Sequence, residues 1–325
     1  MNIPDDPGPI YASPMDVETY RLLGLDRHGP KAMNGHGRYA GAKSTSGEFD
    51  SGYQPCAEAF PDPDIARGRV TAIKDWRDGK IFPGTIRDIR CYVTPGMNSQ
   101  QTDVNLMIFN DGLGYLGRNG SVRASNVLDS LFAAGEIPAT LAIFINPGRP
   151  PAIPLVPKNQ DQRDINDEYR SIEYDSLRPD YGRFLLDEII PLAESSMHCS
   201  ATDDPARRMM IGASSGGIAA LTVAWHFPKS FGLVLSHIGS YTNIKGGHNY
   251  PFLIRTTPRK SIRVFMQSGA NDLDVLFGHW PLANKAVAQA LGFAGYDYRF
   301  EFGVGGHTLA HGGSLLAESI RWLLR

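Results

Sequence analysis

The sequence predicts an α/β domain built on a mostly parallel sheet with helices on both faces. Three observations predict it. Runs such as VNLMIF, ATLAIFI and RRMMIGA are almost continuously apolar, as strands buried on both faces must be. Segments with apolar residues at helical spacing alternate with these runs, which is the order of strand–helix–strand units. No linker divides the alternating body, so one domain accounts for residues 67–325.

Taken in order, residues 1–66 are rich in Gly, Pro, Ser and Asp. They predict an irregular arm with one short helix near Met15 to Leu23, partly ordered against the main body. GRVTAIKDW and TIRDIRCYVTPG follow as two strands joined by a turn at RDGK, because β-branched and aromatic residues run between turn formers. VNLMIFNDG is a buried strand. A helix carrying Val122, Val127, Leu128 and Leu131 leads to the strand ATLAIFINPG. The stretch from PPAIPLVP to RSIEYDS is proline-rich and then charged, and predicts a long surface loop. RFLLDEIIPLAES is a helix, RRMMIGAS a strand and GGIAALTVAWHF a helix. GLVLSHIG and SIRVFMQSG are strands, LANKAVAQALGFAG a helix, YDYRFEFG a strand and SLLAESIRWLL the last helix.

Composition narrows the function classes. Apolar residues make up 42% of the 325 residues and charged residues 20%, an ordinary globular profile. With 32 basic and 34 acidic residues the formal net charge is -2, which favours neither nucleic acid nor an anionic membrane as partner. Cys56, Cys91 and Cys199 are too few for a disulfide scaffold and lack metal-site spacing. The start MNIPDDPGPIYASPMD has acidic residues and prolines where a signal peptide needs a basic end and an apolar run. No stretch approaches the roughly 20 apolar residues of a membrane span. A soluble, cytoplasmic protein is expected, with its oligomeric state open, a homo-oligomer included.

The sharpest motif is Gly212-Ala213-Ser214-Ser215-Gly216-Gly217. Its G-x-S-x-G spacing between a strand and a helix is that of a nucleophile elbow, the mark of the α/β-hydrolase fold. Small residues at Gly212 and Gly216 let the chain turn sharply and lift the Ser214 hydroxyl out of the sheet. Ser215 is the rival serine, but it is off the centre of the motif. In this fold an acid and then a histidine follow the serine in sequence. His307, in VGGHTLAHGG before the last helix, is the expected base, with His311 in the same loop as its rival. His226 reads as a packing or capping residue and His237 as a pocket residue. The acid belongs after SIRVFMQSG, where Asp272 is preferred over Asp274. The N–H of Ser215 follows the nucleophile, and the N–H of Leu113 follows the strand VNLMIF. Both are expected oxyanion donors, with Asp111 organising the second loop.

His248, His279, His307 and His311 match no common metal-ligand spacing. Neither metal nor organic cofactor is expected. Tyr115, Tyr241, His248, Tyr250 and Trp280, together with the PPAIPLVP insert, are expected to line a pocket for a small-molecule ester. Arg170 and Glu173 read as an ion pair tying that insert down. The same triad also suits acyl transfer to a sugar or thiol, or amide cleavage. A non-catalytic binding protein would keep the fold without the chemistry.

These residues resemble a family of esterases that includes enterochelin esterases, S-formylglutathione hydrolase, feruloyl esterases and mycolyltransferases. The resemblance is strongest to the enterochelin-esterase-like branch and covers about Gly68 to Arg325. It rests on FPGTIRDIRCYV, NDG, NPG, RSIEYDSL, GASSGG, GSYTNIKGGHNYP, SGANDLD and GYDY with the later GGH. It implies an α/β-hydrolase that cleaves carboxylic esters, aromatic or siderophore-like ones among them. By position it implies Ser214 as nucleophile, Asp272 as acid, His307 as base, and the Leu113 and Ser215 N–H groups as oxyanion donors.

Overall fold

The long apolar runs become the middle of one sheet. In the computed structural model, residues 49–60, 62–97, 101–156, 158, 160–275 and 277–325 are described. The strands β1 (Arg69–Trp76), β2 (Arg87–Val93), β3 (Gln101–Asn110) and β4 (Thr140–Ile145) precede β5 (Cys199–Ala201), β6 (Arg208–Ala213), β7 (Leu233–His237) and β8 (Arg263–Gly269). A small hairpin, β9 (Asp274–Val275) and β10 (Gly278–His279), and then β11 (Asp297–Gly303) complete the set among the described residues. The main sheet runs β1-β2-β4-β3-β6-β7-β8-β11, with β5 beside β3. β2 pairs antiparallel with both β1 and β4, and every pairing from β4 to β11 is parallel. Strands β4, β6 and β7 are buried along their whole length, which explains their unbroken apolar sequence.

Helices cover both faces. One face packs against α1 (Gly112–Leu116), α2 (Ala124–Ala133) and the terminal pair α9 (Ala310–Ser314) and α10 (Leu316–Leu324). Its core joins Phe109, Phe144, Leu128 and Ile320. The other face carries α3 (Gln160–Tyr174), α4 (Asp180–Phe184), α5 (Ile190–Met197), α6 (Ser215–His226), α7 (Tyr250–Thr256) and α8 (Trp280–Phe293). Its core joins Phe184, Leu221, Tyr250 and Leu291. Helix α6 is buried from Ser215 to Trp225, so it is apolar on every side rather than on one stripe. Among the described residues, no helix is long and apolar enough to cross a membrane.

Two expectations change. The insert expected to be a surface loop ends in the 15-residue helix α3. Its sequence has few apolar residues because it touches the body mainly through polar groups and through Tyr174, which is fully buried. The turn at RDGK is only the start of a longer connection to β2. That connection is pinned where Glu188 accepts the Lys80 and Ile81 N–H groups at 3.1 and 2.9 Å. The short helix near Met15 to Leu23 lies outside the described residues.

Candidate active site

A parallel sheet points the C-terminal ends of its strands to one edge, where ligands bind in such folds. The loops after β3, β6, β7, β8 and β11 meet there. Strand β6 delivers Ser214 into α6 through a backbone with φ 58° and ψ -124°. A non-glycine residue in that region stores strain of about 1–3 kcal/mol. The surroundings hold it: the Ser214 N–H donates to the His237 carbonyl at 3.0 Å, and the Ser214 carbonyl accepts the Ser240 N–H at 3.0 Å. A Cβ on Gly212 would collide with the Gly216 carbonyl, so only glycine lets the strand and helix approach this closely.

Ser214, His307 and Asp272 meet although Ser214 and His307 are 93 positions apart in sequence. The Ser214 hydroxyl lies 2.9 Å from His307 Nε2, and His307 Nδ1 lies 2.5 Å from Asp272 Oδ1. A carboxylate beside Nδ1 requires the proton there, which leaves Nε2 as the acceptor for the Ser214 O–H. The Asp272 side chain is fully buried and that of His307 one-fifth exposed. Asp272 Oδ1 also accepts the Leu273 N–H at 2.7 Å, which fixes the carboxylate. Ser240 was not singled out in the sequence. Its Oγ is 3.2 Å from that of Ser214 and accepts the Trp280 indole N–H at 3.3 Å. Trp280 also stands edge-on to the His307 ring, with centroids 5.9 Å apart. Nothing in the local sequence marks Ser240, because only the turn after β7 brings it to the elbow.

The rival residues go elsewhere. Ser215 is buried, beside the buried Asp175. His311 is buried, with Nδ1 3.0 Å from Gln267 Nε2 and its ring stacked on Tyr53. Asp274 is exposed in β9. His226 Nε2 meets the Leu177 carbonyl at 2.8 Å. His237, expected in the pocket, is fully buried beneath the elbow. Its Nδ1 is 3.0 Å from the Tyr115 hydroxyl. Burial, helped by nearby His311, pushes its pKa down to about 3.

Four of the residues expected to line a pocket are buried. Tyr115, Tyr241 and Tyr250 are core residues, because each hydroxyl finds a buried partner: His237, Ser236 and Thr222 respectively. Trp280 is buried as well, and His248 is exposed in the Gly247–Asn249 turn. A cavity lies beside α3. It measures about 310 Å³ and is walled by Asp111, Asn146, Arg149 and Arg170, with Leu155 and Val156 from the insert. Arg170 and Glu173 are not a pair. Arg170 grips Asp111 at 2.7 Å, and Glu173 takes both guanidinium nitrogens of the buried Arg87 at 2.9 Å. Asp111, at φ 52°, is the N-cap of α1.

The two oxyanion candidates differ. Ser215 is the first residue of α6, so its N–H has no intrahelical acceptor and sits at the positive end of the helix. The Leu113 N–H is already donated to Asn146 Oδ1 at 3.1 Å. Asn146 follows β4 directly, in reach of the α1 turn, and competes with any oxyanion for that N–H.

The architecture and the elbow define an α/β-hydrolase. The "Putative esterase" family model matches residues 84–291, well over half of the chain, and the chain belongs to that family. The chain is 26% identical over 278 residues to the iron(III) enterobactin esterase of Dickeya dadantii, covering 81% of this chain and 56% of that protein. Among solved structures it resembles the enterobactin esterase of Shigella flexneri, with TM-score 0.60 and 20% identity over 83% of this chain and 62% of the other. It also resembles a ferulic acid esterase of the fungus Anaeromyces mucronatus, with TM-score 0.61 and 13% identity over 84% and 98%. The chain thus spans little more than half the length of the enterobactin esterases it matches.

Proposed function

We propose that the chain hydrolyses carboxylic esters through a covalent acyl-enzyme on Ser214. The observation that carries this reading is the continuous hydrogen-bonded line Ser214–His307–Asp272, at 2.9 and 2.5 Å, behind a strained elbow. His307 Nε2 takes the hydroxyl proton as Ser214 Oγ attacks the ester carbonyl. Asp272 holds the ring and stabilises its cation. The Ser215 N–H stabilises the oxyanion from the head of α6. The Leu113 N–H joins it once the Asn146 carbonyl releases it. The alcohol leaves with the proton from His307, and water repeats the cycle to free the acid.

The substrate is an ester with an aromatic acyl group. The name of one structural neighbour supports this, since it attaches ester cleavage to ferulic acid. The cavity beside α3 is at the lower end of the range for small-molecule sites, roughly 300–1,000 Å³, which suits one ring and its linker.

The test is turnover of a chromogenic ester panel, short acyl chains beside a feruloyl ester, by wild type and Ser214→Ala. The expected result is preference for the aromatic ester and a loss of roughly 10⁴-fold or more in kcat without change in melting temperature. Equal turnover by the two proteins would remove Ser214 as nucleophile.

A further inference from the structure

We propose that Asp50 and Tyr53, ahead of the sheet, are positioning residues for the loop that carries His307. The inference rests on His307 being the general base. Its ground is how the loop after β11 satisfies its backbone. The carbonyls all turn toward the Asp272-bearing turn. Gly303 O accepts the Ala270 N–H at 2.9 Å, Gly305 O the Asn271 N–H at 3.2 Å, and Val304 O the Asn271 side-chain amide at 2.6 Å. Two N–H groups turn the opposite way. The Val304 N–H donates to the Tyr53 hydroxyl at 3.0 Å, and the Gly306 N–H donates to Asp50 Oδ1 at 3.1 Å. Gly306 immediately precedes His307. The loop is therefore clamped between the turn that holds the acid and a segment of chain some 250 residues earlier in sequence.

The clamp is fitted on both sides. The Tyr53 ring stacks on His311 at 4.1 Å with the planes 16° apart, and His311 is tied on to Gln267 in β8. Asp50 is buried, and among the described residues its carboxylate accepts one loop amide. The loop's glycines make room for these side chains. A Cβ on Gly305 would stand 2.8 Å from Asp50 Oδ1, and one on Gly303 would collide with the Tyr53 hydroxyl. Residues 56–60 are anchored in turn. Asn126 donates to the Ala59 carbonyl at 2.9 Å, Ser130 to the Glu58 carbonyl at 3.0 Å, and Arg321 pairs with Glu58 at 2.6 Å. The segment thus transmits the position of α2 and α10 to the base. Hydrolysis with misplaced bases loses rate steeply, since a displacement near 1 Å costs on the order of 100-fold.

The experiment compares the full chain with its Asp50→Ala, Asp50→Asn and Tyr53→Phe variants on the best ester of the panel. Melting temperature and the downfield proton NMR signal of the His307–Asp272 hydrogen bond are read alongside. Asp50→Ala is expected to lower kcat by about 10- to 100-fold with KM nearly unchanged, and to shift or broaden the downfield signal. Asp50→Asn keeps an acceptor for the Gly306 N–H and is expected to recover most of the rate. Tyr53→Phe keeps the stacked ring and is expected to show a smaller loss in kcat. Wild-type kcat and an unchanged signal in Asp50→Ala would overturn the proposal, as would an Asn variant no better than the Ala variant. Should Asp50→Ala fail to fold, Tyr53→Phe decides: a wild-type kcat and signal there overturn the proposal, and a selective loss of kcat supports it. Failure of the esterase reading is distinct, because it appears first as wild-type turnover that does not depend on Ser214.

Discussion

His237 should make the folded protein sensitive to acid, and the size of the effect follows from its burial. The ring is fully buried, shares a hydrogen bond with Tyr115, and has no described partner at Nε2. Its pKa falls from 6.5 to about 3. In the unfolded chain the imidazole takes up a proton below pH 6.5, while in the folded protein it stays neutral until pH nears 3. Its contribution to stability is therefore intact above pH 6.5 and is lost as pH falls. The two units from pH 6.5 to pH 4.5, at about 1.36 kcal/mol each, give a loss of roughly 3 kcal/mol between pH 7 and pH 4.5. A substitution that cannot titrate, His237→Asn, carries a fixed packing cost but not this slope. Urea unfolding at pH 7.0, 5.5 and 4.5 measures it. The stability gap between wild type and His237→Asn should narrow by roughly 3 kcal/mol over that range. Parallel curves would show that His237 is not held neutral by the fold.

The buried Arg87–Glu173 pair, each side chain no more than 2% exposed, should be costly to halve. Glu173→Gln is expected to destabilise by roughly 3–5 kcal/mol in urea unfolding, and the combined Arg87→Met, Glu173→Leu change by much less. Burial also pushes the Cys91 thiol up to about 12 and the Cys199 thiol to about 11. Near pH 8 both should resist iodoacetamide in the native protein and react only after unfolding, as read by peptide mass mapping.

The fold class was legible because a parallel sheet buries its strands on both faces, and β3, β4 and β6 are written as plain apolar runs. Helix α3 was not legible for the opposite reason. Its contacts are made by Arg170 to Asp111, Glu173 to Arg87, and the ring of Tyr174, so no apolar stripe announces it. The spacing of Arg170 and Glu173 suggested one ion pair. Each instead meets a partner on a distant strand or loop, which local spacing cannot reveal. The aromatic residues misled in the same way. Tyrosines in loops look available for a ligand, but Tyr115, Tyr241 and Tyr250 each use the hydroxyl to satisfy a buried group. The elbow at Ser214 was legible because its steric demand is local: two glycines and a serine between a strand and a helix.

With His307 as the proposed base, the strand order accounts for support from outside the sheet. Ser214 leaves β6 and His307 follows β11, with β7 and β8 between them. Three strand spacings of about 4.8 Å separate the two origins by about 14 Å. Among the described residues strand β11 is the last of the sheet and pairs only with β8. The loop must therefore carry the imidazole back across the ends of two strands toward β6. Asp272, at the end of β8, meets it part of the way and fixes Nδ1. That contact fixes the ring and leaves the height of the loop above the sheet to its backbone amides. Those amides at Val304 and Gly306 are held by Tyr53 and Asp50. An edge-strand base that reaches over its neighbours gains its aim from both sides, and in this chain one of the two sides is built by residues that lie outside the matched family region.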